Sequence, residues 1–413
     1  MGRTNHTETI TRLQTLCPGI GQTASDGEPL VTPLVQSTTF WRDGVGSGAE
    51  HQYSRVSNPT VAALEKALGD LEQALPATCF ATGMAAETAL FLALLKAGDH
   101  VICGSGVYGG TTRLIRQLLS DLGVEADFVD ATRPEAIRAA VRTTTKLIFV
   151  ETPSNPSLEI TDIEAVAVIA RESGALLAVD NTFLTPVLQQ PLDLGADISV
   201  YSTTKFIEGH SVALGGALVT RDEAVDERIR FIRKCTGAIQ NPLNAWLTLN
   251  GLRTLPLRVE RQSRTAEAVA AWLATHPQIV KVNHPSLATG RAAAIADRQH
   301  VGLDGARHGA VVSFEIDGGL DAGRQFVEAL ELCTLVEHVG SVETLVTHPA
   351  SMTHADVPAD QRRATGISDG LLRLSVGLEP ASAIIADLKK GLEAVAACET
   401  VRDVVHEEAA ACA

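Results

Sequence analysis

The sequence contains no Cys-x-x-Cys pair, no excess of Lys and Arg, no apolar run of membrane-spanning length, and only 4% aromatic residues. The first three absences each remove a class of protein. With a formal net charge of -15, the chain lacks the counter-charge that general nucleic-acid binding requires. The seven cysteines (Cys17, Cys79, Cys103, Cys235, Cys333, Cys398 and Cys412) are scattered and odd in number. That argues against a disulfide framework or a zinc ribbon and makes a reducing, cytoplasmic compartment the expectation. A membrane helix needs about 20 apolar residues, and none is expected. The opening stretch, MGRTNHTETI, has no apolar core to act as a secretory signal. His6 stands where a myristoylation pattern needs Ser or Thr.

What is present is a soluble, globular composition, 45% hydrophobic and 20% charged over 413 residues. That length suffices for two or three domains with sizeable cores. Residues 1–59 are rich in Gly, Pro, Thr and Ser and read as an extended arm with one short helix at most. From 60 to 256 short apolar runs (ATCFA, HVICG, VEADFVD, KLIFVE, ALLAVD, ISVYS, GGALVT) alternate with amphipathic segments. This predicts a mostly parallel sheet covered on both faces, an α/β domain. Pro59 marks a helix start, and Pro242 and Pro256 punctuate the change that follows. Residues 257–413 open with the long helical stretch RVERQSRTAEAVAAWLATH, and AVVSFEID and LLRLSVG read as later antiparallel strands. A second, smaller α+β domain is expected there.

One motif invites a competing class. GSGVYG, residues 104–109, fits GxGxxG between a strand and a helix, with Asp127 and Asp130 near the offset of a ribose-binding acid. A nicotinamide-dependent dehydrogenase is the reading it offers. Three features weaken it: 34 glycines make chance matches common, the strand is the second of the sheet, and a bulky Tyr108 sits where backbone must approach pyrophosphate.

The stronger signal is VDNTFLTPVLQQPLDLGADISVYSTTKFIEGH, residues 179–210. One apolar strand ends in Asp180, and the next leads through Ser202, Thr203 and Thr204 to Lys205. In an open parallel sheet, ligands sit beyond the carboxyl ends of the strands. Both charges would project there, and a buried charge needs a partner. A salt bridge between them at a sheet edge is one answer. Pyridoxal phosphate is another: its ring nitrogen takes a carboxylate, its aldehyde an amine, and its phosphate hydroxyls and N–H groups. Thr82-Gly83-Met84, opening a helix, offers a second anion site, with an ordinary turn as its plain alternative.

STTKFIEGH with Asp180 upstream resembles the cofactor-lysine signature of the Cys/Met-metabolism family of pyridoxal-phosphate enzymes. Further blocks extend the resemblance along nearly the whole chain: PLVTPLVQSTTF, YSRVSNPT, ATGMAA, VYGGTTR, VETPSNPSLEITDI, GLRTL, VETLVTHPASMTH and GISDGLLRLSVGLE. The resemblance implies a fold-type I enzyme with a large, mostly parallel, seven-stranded-type sheet domain and a smaller C-terminal α+β domain. Lys205 would carry the Schiff base and shuttle protons. Asp180 would pair with the ring nitrogen, and Tyr108 would stack on the ring. Backbone at Gly83 and Met84, with Ser202 and Thr204, would hold the phosphate. Tyr53 and Arg55 would reach the phosphate of a neighbouring subunit, which makes a homotetramer, a dimer of dimers with shared sites, the expected assembly. Asn155 would lie near the ring hydroxyl. Arg373 would grip the substrate carboxylate, and Arg113 in the VYGGTTR block is counted with the substrate residues.

The implied chemistry is γ-replacement or γ-elimination on homoserine-derived amino acids. The leading expectation is a cystathionine γ-synthase activity, with cystathionine γ-lyase close behind, then an O-acylhomoserine sulfhydrylase or a lyase for an unusual γ-substituted amino acid. Methionine γ-lyases carry a Cys where this chain has Gly110, and RKCTG, residues 233–237, lacks their Lys-Asp pair. Glu337 resembles the carboxylate of cystathionine enzymes that would meet a distal amino group. Two departures touch the substrate side: His338-Val339-Gly340 replaces SLG, and Val212 replaces the Asp of GHSD. His338 could reshape the pocket and titrate. Thr82 replaces the usual Ser. His348 and His354 read as family loop residues, so no metal site is expected.

Overall fold

The computed structural model describes residues 6–22, 26–353, 355, 362 and 366–411. His354 lies outside the described residues. Seven of the apolar runs form one sheet: β1 (Thr78–Phe80), β2 (His100–Gly104), β3 (Glu125–Val129), β4 (Thr145–Glu151), β5 (Leu176–Asp180), β6 (Ile198–Tyr201) and β7 (Gly216–Thr220). Their order is β1-β7-β6-β5-β4-β2-β3. The run from β6 to β3 is parallel, and β7 is antiparallel to both its neighbours.

Successive residues of the central strands bury opposite faces, the period of two of a pleated strand. Leu147 and Phe149 enter a cluster with helices α3 (Gly83–Leu94) and α8 (Glu223–Thr236), whereas Ile148 and Val150 pack with α6 (Ile163–Ser173). Side-chain caps fix where these helices start. Thr82 accepts from the N–H of Ala85, Asp162 from that of Ala165, and Asp222 from those of Ala224 and Val225. Gly174 and Gly237 end α6 and α8 in the left-handed conformation that a side chain would strain.

The second sheet, β10-β11-β12-β9-β8, comprises β8 (Ile279–Asn283), β9 (Val311–Ile316), β10 (Thr334–Leu335), β11 (Leu345–Thr347) and β12 (Leu371–Ser375). It is antiparallel except for the β10–β11 pair. Helix α10 (Leu255–Leu273) and the helix Gly319–Glu328 pack on it, and the helix Ala381–Ala411 packs against both of them. One hydrophobic cluster joins Val187, Val259 and Leu372. It also takes in Ile10 and Leu13, both fully buried, from helix α1 (His6–Leu16). Residues 26–57 run without helix or strand apart from a bridge between Thr39 and Tyr53, and they leave Trp41 and Val45 exposed. No helix among the described residues is long and apolar enough to cross a membrane.

Candidate active site

The carboxyl ends of β4, β5 and β6 meet at one place. Glu151 ends β4 directly opposite Asp180, which ends β5, and Asp180 is opposite Val200 of β6. Four residues past Tyr201, the last of β6, comes Lys205. A cavity of about 240 Å³ collects Gly83, Met84, Tyr108, Asn155 and Asp180 with Ser202, Thr204, Lys205, Glu337 and Arg373. These residues come from seven separate stretches of the chain.

Asp180 is buried, and its Oδ1 accepts from the N–H of Thr182 at 2.9 Å. Burial raises its pKa to about 6. Lys205 Nζ lies 3.3 Å from His338 Nδ1, and burial with the positive charge of Arg373 brings the amine down to about 8. Among the described residues, neither Asp180 nor Lys205 forms an ion pair, so the salt bridge between them is not formed.

The phosphate candidates are brought together. Thr82 caps α3, whose first N–H groups, at Gly83 and Met84, have no intrahelical acceptor. A Cβ built on Gly83 would meet Ser202 Cβ at 2.9 Å, so the helix start closes on the hydroxyl turn only because residue 83 has no side chain. Thr204 Oγ1 donates to the carbonyl of Gly215 at 3.1 Å and accepts from its N–H at 3.0 Å.

Tyr108 stands before the short helix α4 (Gly109–Arg113), and its N–H donates to Glu151 Oε2 at 2.6 Å. The GSGVYG loop therefore spends this N–H on a carboxylate of the chain itself. A Cβ at Gly110 would meet Tyr108 Cε1 at 2.5 Å and Met84 Sδ at 2.8 Å, so the ring lies where a Cys at position 110 would stand. Arg373, on β12, is buried. It donates from Nη1 to Asn155 Oδ1 at 2.8 Å and from Nη2 to Thr347 Oγ1 at 3.3 Å, and its Nε has no partner. Burial lowers its pKa to about 10, which leaves the guanidinium charged.

Four candidates lie outside this cavity: His338, whose ring nonetheless meets Lys205, and Tyr53, Arg55 and Arg113. Arg55 Nη1 donates to the carbonyl of Lys234 at 2.9 Å, and its guanidinium stands 5.5 Å from the ring centroid of the half-exposed Tyr53. Arg113 is exposed on α4. Two residues that sequence reasoning missed line the cavity, Glu87 and Glu151. Glu87 accepts from Thr111 Oγ1 at 2.7 Å, and burial with the nearby charge of Asp180 raises it to about 8. Burial and Asp180 also hold Glu151 well above the carboxylate range. Both had a signal: Glu87 is the one charged residue in GMAAETALFLAL, and Glu151 ends its strand as Asp180 does. Among the described residues, no group of three His, Cys, Asp or Glu is arranged to hold a metal ion.

A family model described as Cys/Met metabolism PLP-dependent enzyme matches residues 15–393. The chain belongs to that family. Its members use pyridoxal phosphate for elimination or replacement at the β or γ carbon of Cys/Met-pathway amino acids. The chain is 40% identical to the cystathionine gamma-lyase of Bacillus subtilis over 361 residues, 87% of this chain and 93% of that protein. It is 40% identical to the L-methionine gamma-lyase of Fusobacterium nucleatum over 377 residues, 89% and 94% of the two chains. A solved structure, cystathionine gamma synthase from Xanthomonas oryzae pv. oryzae in complex with aminoacrylate and cysteine, superimposes with a TM-score of 0.88. It shares 40% identity and covers 96% of this chain and all of its own. The cavity fits the family's cofactor: a buried carboxylate, an amine of lowered pKa, and a helix start facing hydroxyls across Gly83.

Proposed function

We propose that this enzyme forms or breaks a C–S bond at the γ carbon of a homoserine-derived amino acid, acting first as a cystathionine γ-synthase on an O-acylhomoserine and cysteine. The observation that carries this reading is the pair Arg373 and Glu337 in the cavity that holds Lys205. A buried guanidinium with a free Nε suits an α-carboxylate. A carboxylate at the exposed rim suits a distal ammonium.

Bound pyridoxal phosphate supplies an aldehyde for an amine and a protonated ring that draws electrons from the substrate's Cα. Asp180 would hold the ring nitrogen's proton, and Tyr108 would lie against the ring. Gly83 and Met84 N–H groups and the Ser202 hydroxyl would hold the phosphate, and Thr204 would join them by turning its proton away from Gly215. Asn155, fixed by Arg373, offers its Nδ2 donor to the ring hydroxyl. Lys205 Nζ takes a proton at the substrate's Cα and returns it further along the chain. Arg373 orients the carboxylate throughout. Tyr53 and Arg55 serve the phosphate of a neighbouring subunit, with residues 1–59 as the reaching arm of a dimer of dimers. Residues 60–256 form the cofactor domain and 257–413 the smaller one.

A second reading, cystathionine γ-lyase, is supported by the likeness to the lyases of Bacillus subtilis and, at 42% identity, Bos taurus. A product assay separates the two. The purified holoenzyme is given O-acetyl- or O-succinylhomoserine with and without cysteine, and cystathionine alone. Cystathionine formed only with cysteine present supports the synthase and identifies the acyl group; 2-oxobutyrate and cysteine from cystathionine alone support the lyase. Silence on all of them sinks both readings.

A further inference from the structure

Glu87 is a buried carboxyl of the cofactor cavity that the functional reading above leaves unused. It stands on α3 one turn past Gly83 and Met84, and its side chain lines the cavity. One chain alone buries it, to 4% exposure. Its helix neighbours Ala86, Ala89, Leu90 and Phe91 enter an apolar cluster, so nothing in the helix itself calls for a charge there. Its partner is a hydroxyl: Oε2 accepts from Thr111 Oγ1 at 2.7 Å. The other two buried carboxyls are better provided. Asp180 accepts from the N–H of Thr182, and Glu151 accepts from the N–H of Tyr108 with the charge of Arg373 nearby. A glutamine at position 87 would accept from Thr111 equally well and would carry no charge to bury. An acid there holds a proton that it is able to give up.

The charges around Glu87 decide when it does so. Lys205 and Arg373 are the cations of the cavity, and Asp180, Glu151, Glu87 and Glu337 its carboxyls. Burial and the charge of Asp180 raise Glu87 to about 8, and the same two causes hold Glu151 well above the carboxylate range. At neutral pH, Glu87 and Glu151 therefore add no charge, and a phosphate enters without meeting two further anions. We propose that Glu87 is a reserve counter-charge for the cofactor ring: a neutral acid while pyridoxal phosphate is taken up, and a second carboxylate for the ring nitrogen's proton when its own proton is lost to alkaline solvent or when Asp180 is missing. Losing the charge of Asp180 removes one of the two influences that keep Glu87 neutral, so Glu87 ionises more readily where the ring needs it. This rests on the placement of the ring nitrogen at Asp180 proposed above, and on no particular reaction of the family.

The test compares wild type, Glu87→Gln, Asp180→Asn and the double variant, with circular dichroism to check the fold. A charge arising beside the ring alters its absorption. The visible spectrum of wild-type holoenzyme should therefore change in a step centred near pH 8 that Glu87→Gln lacks. Thr111→Val, which takes away a hydroxyl that favours the carboxylate, should move that step to higher pH. Binding of pyridoxal phosphate to the apoenzymes at pH 7 is read by fluorescence titration. Glu87→Gln should weaken it less than twofold where Asp180 is present and about tenfold in the Asp180→Asn background, since one nearby opposite charge moves a titrating group by about a pH unit or more. Superimposed spectra of wild type and Glu87→Gln from pH 6 to 10 would overturn the proposal. An equal loss of binding in both backgrounds would do the same, because a purely structural strut between Glu87 and Thr111 gives that result. If Asp180→Asn alone binds the cofactor as tightly as wild type, the ring nitrogen does not lie at Asp180, and the proposal falls with that placement.

Discussion

Lys205 Nζ lies 3.3 Å from Nδ1 of His338, within hydrogen-bond reach. Burial and the charge of Arg373 lower the amine to about 8. Burial and the charges of Lys205 and Arg373 lower the imidazole to about 4. The proton therefore sits on the lysine at pH 7, and the histidine is a neutral acceptor. Arg373 depresses both, so the cation that suits substrate also readies the lysine to act as an amine.

This sets a pH dependence for cofactor capture. Only the neutral amine attacks an aldehyde, and its fraction grows as pH rises towards 8. Capture of pyridoxal phosphate by apoenzyme, followed by visible absorbance, should quicken nearly tenfold from pH 6 to 7 and level off above about 8.5. Lys205→Ala should show no borohydride-reducible colour and no turnover while its circular dichroism stays unchanged. A flat capture profile would contradict the lowered amine, and retained turnover the role of Lys205.

Asp180→Asn should move stability and cofactor affinity in opposite directions. Burial raises the Asp180 pKa from 3.8 to about 6, so the folded state favours the neutral acid. The stabilising share is fully present below pH 3.8 and is lost as pH rises through 6. Above that, the ionised carboxylate costs the apoenzyme about 3 kcal/mol. The variant apoenzyme should unfold later than wild type at pH 8 by about that amount and gain nothing at pH 4. It should also bind pyridoxal phosphate more weakly by fluorescence titration. A destabilised variant at pH 8 would refute the buried-charge argument.

Much of the site was legible because charges interrupt apolar runs. Asp180 and Lys205 stand at the ends of ALLAV and ISVYS, where a buried strand meets the sheet edge that binds ligands. Glu151 follows the same rule and was overlooked inside VETPSNP. Glu87 was harder, because a lone Glu in a helix reads as a solvated face, and only the packing of α3 on the sheet turns it inward. The direction of β7 was hidden, since GGALVT reads the same either way. The meeting of Lys205 and His338 was hidden too. They are 133 residues apart, and their contact depends on Gly340. That residue has φ +88°, and a Cβ there would meet Phe206 N at 2.4 Å.

A pH effect away from the site is expected from the buried histidines His284, His300 and His308. His300 Nδ1 lies 2.9 Å from His308 Nδ1, and burial lowers His284 to about 4 and the other two as well. A depressed histidine contributes fully above pH 6.5 and loses that contribution as pH falls towards 4. For His284 the loss between pH 7 and pH 5 is about 2 kcal/mol. The raised carboxyls Glu72, Glu87 and Asp180 act in the opposite sense over the same range, so the comparison must be with a variant. Wild type should lose about 2 kcal/mol relative to His284→Gln between pH 7 and pH 5 in denaturant unfolding. Parallel pH profiles would rule the effect out.

Glu337 decides between a zwitterionic second substrate and inorganic sulfide. Its side chain is exposed at the rim of the cavity that contains Arg373, and its charge is felt at that guanidinium. An exposed ion pair contributes up to about 1 kcal/mol, and more once substrate excludes water around it. Glu337→Ala should therefore lower kcat/KM for cysteine or cystathionine about fivefold to tenfold through KM. Sulfide has no ammonium to lose, so its use should change less than twofold. Arg373 stays charged without Glu337, so its grip on the substrate carboxylate is common to both reactions and cancels in the ratio. Equal losses for cysteine and sulfide would remove the main reason to favour a cystathionine enzyme.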